Sequence, residues 1–300
     1  MKFLLLVLSL NLSISIFAQN DLLNELTSEI NNSAEPSKVS STFKGIRLIN
    51  ANTIETTKKK TLEFRITHRF GNMEIGEPIA YHTYYGLDNA SNIRFSFDYG
   101  LTEKISIGLG RSKKLENIDG NFKFRFLEQK KDGLPLSVAY FTNAVVSAVA
   151  DAPQNKSVNR WSFTHQFILA SKINSAISLE VLPTFVHRNF VDNTQLHPIN
   201  GSIDENDIFA LGFGGRLKIT KHTSIVVDYF LPFSEFRKKG NTYYEAFGVG
   251  MEFETGGHVF HVNLTNSEGI IENDFIPNTN SDWEKGEYKL GFNISRIFSF

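Results

Sequence analysis

The sequence predicts an all-β chain: a single transmembrane antiparallel up-and-down β-barrel of about 12 strands. Three observations predict it. From Thr61 to the last residue, apolar and polar side chains alternate with period two, so each segment has one greasy and one wet face. The links between these segments alternate between short and long, the asymmetry of a membrane barrel. Beyond the first 18 residues no uncharged apolar run reaches the ~20 residues of a spanning helix.

Composition narrows the class. The 300 residues carry formal net charge -1, no Cys, 41% hydrophobic residues and 27 Phe. The lack of Cys excludes a disulfide scaffold, a thiolate metal site and a lipoprotein anchor. A near-zero charge argues against a nucleic-acid surface. Slightly negative mean hydropathy is compatible with a barrel, because every second strand residue faces a wet lumen.

The chain opens MKFLLLVLSLNLSISIFAQ. One Lys before an apolar run, then small residues, predicts a signal peptide over 1–18 with cleavage near Ala18. Residues 19–60 are expected to form a periplasmic or lumen-entering segment. Leu22, Leu23, Leu26 and Ile30 predict a short amphipathic helix. The polar run NNSAEPSKVSS follows. FKGIRLINANTIET, residues 43–56, has the character of one irregular strand. Including it would make the strand count odd, so it is left out of the wall.

Residues 61–300 form the barrel. Leu62, Phe64 and Ile66 oppose Glu63, Arg65 and Arg69; Phe95 and Phe97 oppose Arg94 and Asp98. Ile107 and Leu109 oppose Gly108 and Gly110; Phe122 and Phe124 oppose Lys123 and Arg125. Residues 134–148 alternate less cleanly. Trp161 and Phe163 oppose Arg160 and Thr164; Leu179 and Val181 oppose Glu180 and Arg188. Phe209, Leu211 and Phe213 oppose Gly212, Gly214, Arg216 and Lys218. Val227 and Tyr229 oppose Asp228; Val249 and Met251 oppose Gly248, Gly250 and Glu252; Val262 and Leu264 oppose His261 and Asn263. The closing strand is EYKLGFNISRIFSF, with Arg296 and Ile297 out of pattern. Twelve long strands exceed an ordinary soluble sandwich. The short links at 99–103, 128–134, 171–176, 219–223 and 254–257 are assigned to the periplasmic side, with Phe300.

Two resemblances follow. The last strand, ending on an aromatic, resembles the C-terminal strand of bacterial outer-membrane barrels. That implies outer-membrane lipid as surroundings and the barrel-assembly machinery as a partner, through Phe300. The runs LEFRITHRFG, YGLDNASNIRFSFDYGLTEKISIGLGRS, LPTFVHRNFV, FETGGHVFHVNLTNSEGIIE and GFNISRIF occur with KGIRLINANTIET. Together, over roughly 43–300, they resemble an uncharacterised Bacteroidota outer-membrane β-barrel family, domain of unknown function 5777. The resemblance implies the cell outer membrane, carries no catalytic residue, and implies that 43–56 belongs with the barrel.

The candidate lumen lining is Arg65, Arg69, Arg94, Asp98, Lys123, Arg125, Arg160, Glu180, Arg188, Arg216, Lys218, Asp228 and Glu252. With Glu63 and Glu245 it holds nine cations against six anions. Either these charges set anion selectivity, or they pair across strands and fill the interior. Gly108, Gly110, Gly212, Gly214, Gly248 and Gly250 leave room for a solute or for 43–56, or ease strand bending. His187 and His197 flank one outer loop, but no spacing marks a metal site. Tyr99, Tyr229, Tyr243, Phe298 and Phe300 suit interfacial girdles. The apolar side chains of 267–286 are expected to fold inward over the lumen. No catalytic motif, metal or cofactor is expected. The leading expectation is a narrow channel or passive transporter for small solutes, with anions as its narrower form. The alternative is a non-conducting structural or assembly barrel with a filled lumen.

Overall fold

Period-two sequences sort their side chains by face as soon as the strands pair. The computed structural model describes residues 37–300 apart from 40, 150–155, 193, 239 and 256–257. In it twelve antiparallel strands close into one barrel, each paired with its neighbours in sequence. They are β1 (Thr61–Asn72), β2 (Ala90–Gly100), β3 (Ile105–Ser112), β4 (Asn117–Leu127), β5 (Ser137–Ser147) and β6 (Trp161–Lys172). The rest are β7 (Ile177–Arg188), β8 (Asp207–Lys218), β9 (Thr223–Phe233), β10 (Ala246–Thr255), β11 (His258–Thr265) and β12 (Lys289–Ser299). The predicted signal peptide and the predicted helix at 21–30 lie outside the described residues.

The seam is β1 with β12, from Thr61↔Ser299 to Asn72↔Lys289. Phe300 N donates to Lys60 O at 3.2 Å, extending it by one rung. Closure removes the two unpaired edges that an open sheet would present. The C-terminus, the segment before β1 and the shorter links, such as 101–104 and 173–176, share one end; 73–89, 189–206 and 266–288 cross the other.

The two faces differ as the alternation requires. Outward, Phe97, Leu109, Phe167 and Phe209 are 49–67% exposed. Rows of large exposed apolar groups suit lipid, where leaving them in water would be costly. Two arginines break these rows: Arg111 faces outward on β3, and Arg296 faces outward near the terminal end, with its guanidinium 5.1 Å from the Phe298 ring. Ile297 faces inward at the mouth.

Inward, the wall is polar on β1–β3 and mixes apolar with polar side chains on β5–β9. Two inserts fill the space. From the terminal end, 43–56 enters as a hairpin: Thr53 N donates to Ile46 O at 3.0 Å and Leu48 N to Ala51 O at 2.9 Å. The expected single irregular strand is therefore a bent one. Its own groups pair across the turn, and no wall strand is free to extend it. From the loop end, 266–288 folds in and forms α1 (Glu272–Asn278). Glu272 and Asp274 occupy its first turn, where the helix dipole favours acids, and Pro277 limits its length. Phe43, Leu48, Ile49 and Ile54 of the hairpin join Phe275 and Ile276 of α1, with Phe141, Leu182 and Phe230 of the wall, in one buried cluster.

A plugged bore as the candidate functional site

A hairpin tip inside a barrel carries backbone groups that no strand can pair, so wall side chains must satisfy them. β9 brings Asp228 directly under the tip. Its Oδ2 accepts from the backbone N–H of Ile49 (3.0 Å), Asn50 (2.6 Å) and Ala51 (3.0 Å). Its Oδ1 accepts from Asn50 Nδ2 at 2.9 Å. The carbonyls are met by side chains of β11, β12, β1 and β4. Arg69 Nη2 donates to Ile49 O at 3.0 Å. His261 Nδ1 lies 3.1 Å from Leu48 O; a carbonyl only accepts, so Nδ1 is the donor of that pair. Asn293 Nδ2 donates to the same oxygen at 3.3 Å. Lys123 Nζ reaches the carbonyls of Ile46, Thr53 and Glu55 at 3.0–3.2 Å.

The two inserts also clasp each other. Arg47 Nη2 donates to Glu272 Oε2 at 3.2 Å, and Asn52 Nδ2 to Glu272 Oε1 at 2.8 Å. Phe230 of the wall meets Phe275 of α1 edge to face, with ring centres 4.8 Å apart.

Three further lumen cations are paired within the wall. Arg65 binds Glu63 at 2.6 Å, Arg94 binds Asp119 at 2.5 Å, and Arg216 binds Glu252 and Glu254 at 2.7 and 2.9 Å. Asp98 accepts from Asn121 at 3.3 Å. Glu180 is buried and packs on Gly214.

Other predicted lining residues stand at the two mouths. Arg125, at the terminal end, binds Glu55 at 3.3 Å. Arg188, at the loop end, binds Asp204 at 2.7 Å. Arg160 precedes β6 in a 3₁₀ turn at the loop-end mouth, because the strand starts only at Trp161. Lys218 is a correction: it has inward parity but ends β8 and is exposed. Tyr243 is another. It is not in the girdle but packs under Arg237, 5.1 Å from guanidinium to ring centre. His187 binds Asp207 at 2.6 Å, while His197 accepts from Ile199 N at 3.1 Å, so the two do not meet.

The inward glycines leave no free space for a solute. Arg94 covers Gly110, and Asp98 with Asn121 covers Gly108. A Cβ at Gly212 would lie 2.5 Å from Phe230. At Gly214 it would lie 2.9 Å from Leu48 Cδ1, and at Gly248 2.9 Å from Ile49 Cγ2. These last two give the hairpin its room. Gly250 backs onto Asn263 of the neighbouring strand.

Sequence reading missed Asp119, Glu254, Glu55 and Glu272 as ion-pair partners, and Lys289. Lys289 Nζ donates to Asn72 Oδ1 and Ser281 Oγ, both at 2.6 Å, tying β12 to the inserted loop. Their inward parity or proximity to 43–56 was the available signal.

Cavities lie at both ends of the bore. The terminal-end vestibule, about 650 Å³, is bordered by Lys44, Glu55, Glu63 and Arg125. The loop-end vestibule, about 510 Å³, has Asn273 and Asn278 of α1 on its floor. Between them, beside Arg47, Asp98 and Lys123, a cavity of about 10 Å³ remains. That is roughly the least that admits one water.

The membrane-bound beta barrel domain family, DUF5777, matches residues 43–298. The chain belongs to that family. The match begins at Phe43, the first residue of the inserted hairpin, so in this DUF5777 chain the hairpin is part of the matched domain. Among solved structures, the chain is similar to the COG4313 outer membrane channel from Pseudomonas putida F1: 10% identity over 82% of this chain and 98% of that one, TM-score 0.48. It is also similar to the NanC porin, at 7% identity over 80% and 99% with TM-score 0.47. The Acinetobacter baumannii outer membrane protein Omp33 shares 8% identity over 80% and 99%, TM-score 0.41. No curated protein matches the chain.

Proposed function

We propose that this DUF5777 protein is an outer-membrane barrel closed at rest. A solute would cross only if the hairpin or the inserted loop leaves the bore. The observation that carries this reading is that the two inserts fill the bore between two large vestibules, leaving a cavity of about 10 Å³ beside Arg47. The use of the lumen cations supports it. Arg69 and Lys123 hold the hairpin, and Arg65, Arg94 and Arg216 have carboxylate partners. Charges so engaged do not form the ring that would select anions. The reading therefore favours a filled lumen over a standing anion channel, and it involves no catalytic step. The long loops would face outside and the termini the periplasm. Lipid would meet the Phe-rich outer rows, and β12 with Phe300 would engage the assembly machinery.

The test is planar-bilayer conductance of the refolded full chain. Wild type should be silent. A variant with 270–280 replaced by a Gly-Ser linker, or the D228A/R69A pair, should show discrete steps. Steady wild-type steps that fall when Arg94 or Arg216 is neutralised would overturn the reading.

A further inference from the structure

The loop-end vestibule has the chemistry of a small-ligand site. Its volume, about 510 Å³, falls within the ~300–1,000 Å³ of such sites. Its floor is rigid. Asn273 is locked between β6 side chains, accepting from Thr164 Oγ1 at 2.8 Å and donating to Ser162 Oγ at 3.1 Å. Asn278 lies beside it at the end of α1.

One wall is preorganised by charge. Arg188 and Arg237 both bind Asp204 Oδ1, at 2.7 and 2.6 Å. Arg237 also donates to Pro277 O at 2.8 Å, fastening this wall to α1. Its guanidinium lies over the rings of Tyr243 and Phe236, 5.1 and 5.6 Å from their centres. The latch thus fixes Tyr243 at the cavity border. Arg188 Nε is left without a partner, and Asp204 Oδ2 takes no part in the latch.

This lining decides the ligand class. Donors (amide and guanidinium N–H) stand beside an acceptor-only carboxylate. A hydroxyl both donates and accepts, so a ring of hydroxyls can match both kinds of group. A carboxylate ligand would meet Asp204 with like charge, and Asp192 lies at the same border. Aromatic faces at Tyr243 and Phe190 suit the C–H face of a saturated ring. The described lining carries Arg160 and Arg188 against Asp192 and Asp204, and Arg188 and Arg237 are engaged by Asp204 and Glu205, so no surplus positive field favours an anion.

We propose that this vestibule binds a small neutral saccharide of one or two units, seated on Asn273 and Asn278 and flanked by Tyr243. The proposal goes beyond the closed bore and does not require conduction.

Titration calorimetry on the full chain in detergent tests it, with glucose, galactose, maltose and glucuronate as probes. At least one neutral sugar should bind saturably with a Kd of about 1 mM or tighter, and glucuronate at least about tenfold more weakly. N278L and Y243A should each weaken that binding about tenfold, a loss of about 1.4 kcal/mol. Both should keep the heat-modifiable mobility of the folded barrel. Three results would overturn the proposal: no saturable heat with any neutral sugar, tighter binding of glucuronate, or undiminished binding by both variants while folded. Should one variant fail to fold, the other still decides.

Discussion

Asp228 grips Asn50 with both of its oxygens: Oδ2 takes the backbone N–H at 2.6 Å and Oδ1 the side-chain amide at 2.9 Å. Two more backbone donors share Oδ2, so one carboxylate satisfies the three successive backbone N–H groups at the tip of the inserted hairpin. D228N preserves shape but turns one acceptor into a donor that faces donors. It should cost about 2–3 kcal/mol. The measurement is the urea midpoint in micelles at unchanged slope. A midpoint equal to wild type would mean that the hairpin is not held there.

Gly248 and Gly120 separate the room that the hairpin needs from the general tolerance of the sheet. A Cβ at Gly248 would press on Ile49 Cγ2 and Asp228 Oδ1, both at 2.9 Å. At Gly120, on the outer face, it would meet only Leu109 Cδ2 at 3.7 Å. G248A should destabilise by about 1–3 kcal/mol through overpacking. G120A should stay within about 0.5 kcal/mol of wild type. Equal effects would remove the argument that Gly248 makes space for the insert.

Arg47 and Glu272 link an insert from one end of the barrel to an insert from the other. Glu272 is fully buried and Arg47 nearly so. Removing one partner leaves a buried charge, which costs about 3–5 kcal/mol. R47M and E272Q should each be strongly destabilising, and the double variant clearly less so than their sum. Additive losses in the double-mutant cycle would show that the two inserts are held independently.

Much of the wall was legible in the sequence, because alternation is a local signal that lipid and lumen read in opposite ways. Phe95, Phe97 and Leu109 face out, and Arg65, Arg94 and Lys123 face in, as their parity requires. The purpose of the inward charges was not legible. Lys123 has the same parity whether it lines a pore or holds three carbonyls of a hairpin; only the fold brings 43–56 to it. Asp228 likewise has no local mark of its four hydrogen bonds. The short hairpin could not be told from a strand, since Ile46, Leu48 and Ile54 alternate but serve a turn. Tyr243 and Lys218 were misplaced for a related reason. Parity says nothing about where a strand stops.

Asp204 gives the loop-end mouth a dependence on pH. Burial alone would raise its pKa, but the hydrogen bond from Arg237 and the charge of Arg188 outweigh it and hold the carboxyl below its ordinary value. The folded pKa is therefore depressed. The contribution to stability is present above the unfolded value of about 3.9 and is lost as pH falls through the folded value. Protonation would remove the carboxylate that Arg188 and Arg237 share and leave them held in common by Glu205 alone, loosening the wall that fastens α1 through Pro277 O. Hydrogen exchange of 234–238 and 272–278 should stay slow from neutral pH down to about pH 5, then accelerate below about pH 4 beyond the intrinsic rate. D204N should exchange faster at neutral pH and lose that acid step. An acid step that survives in D204N would assign the pH dependence to another carboxyl.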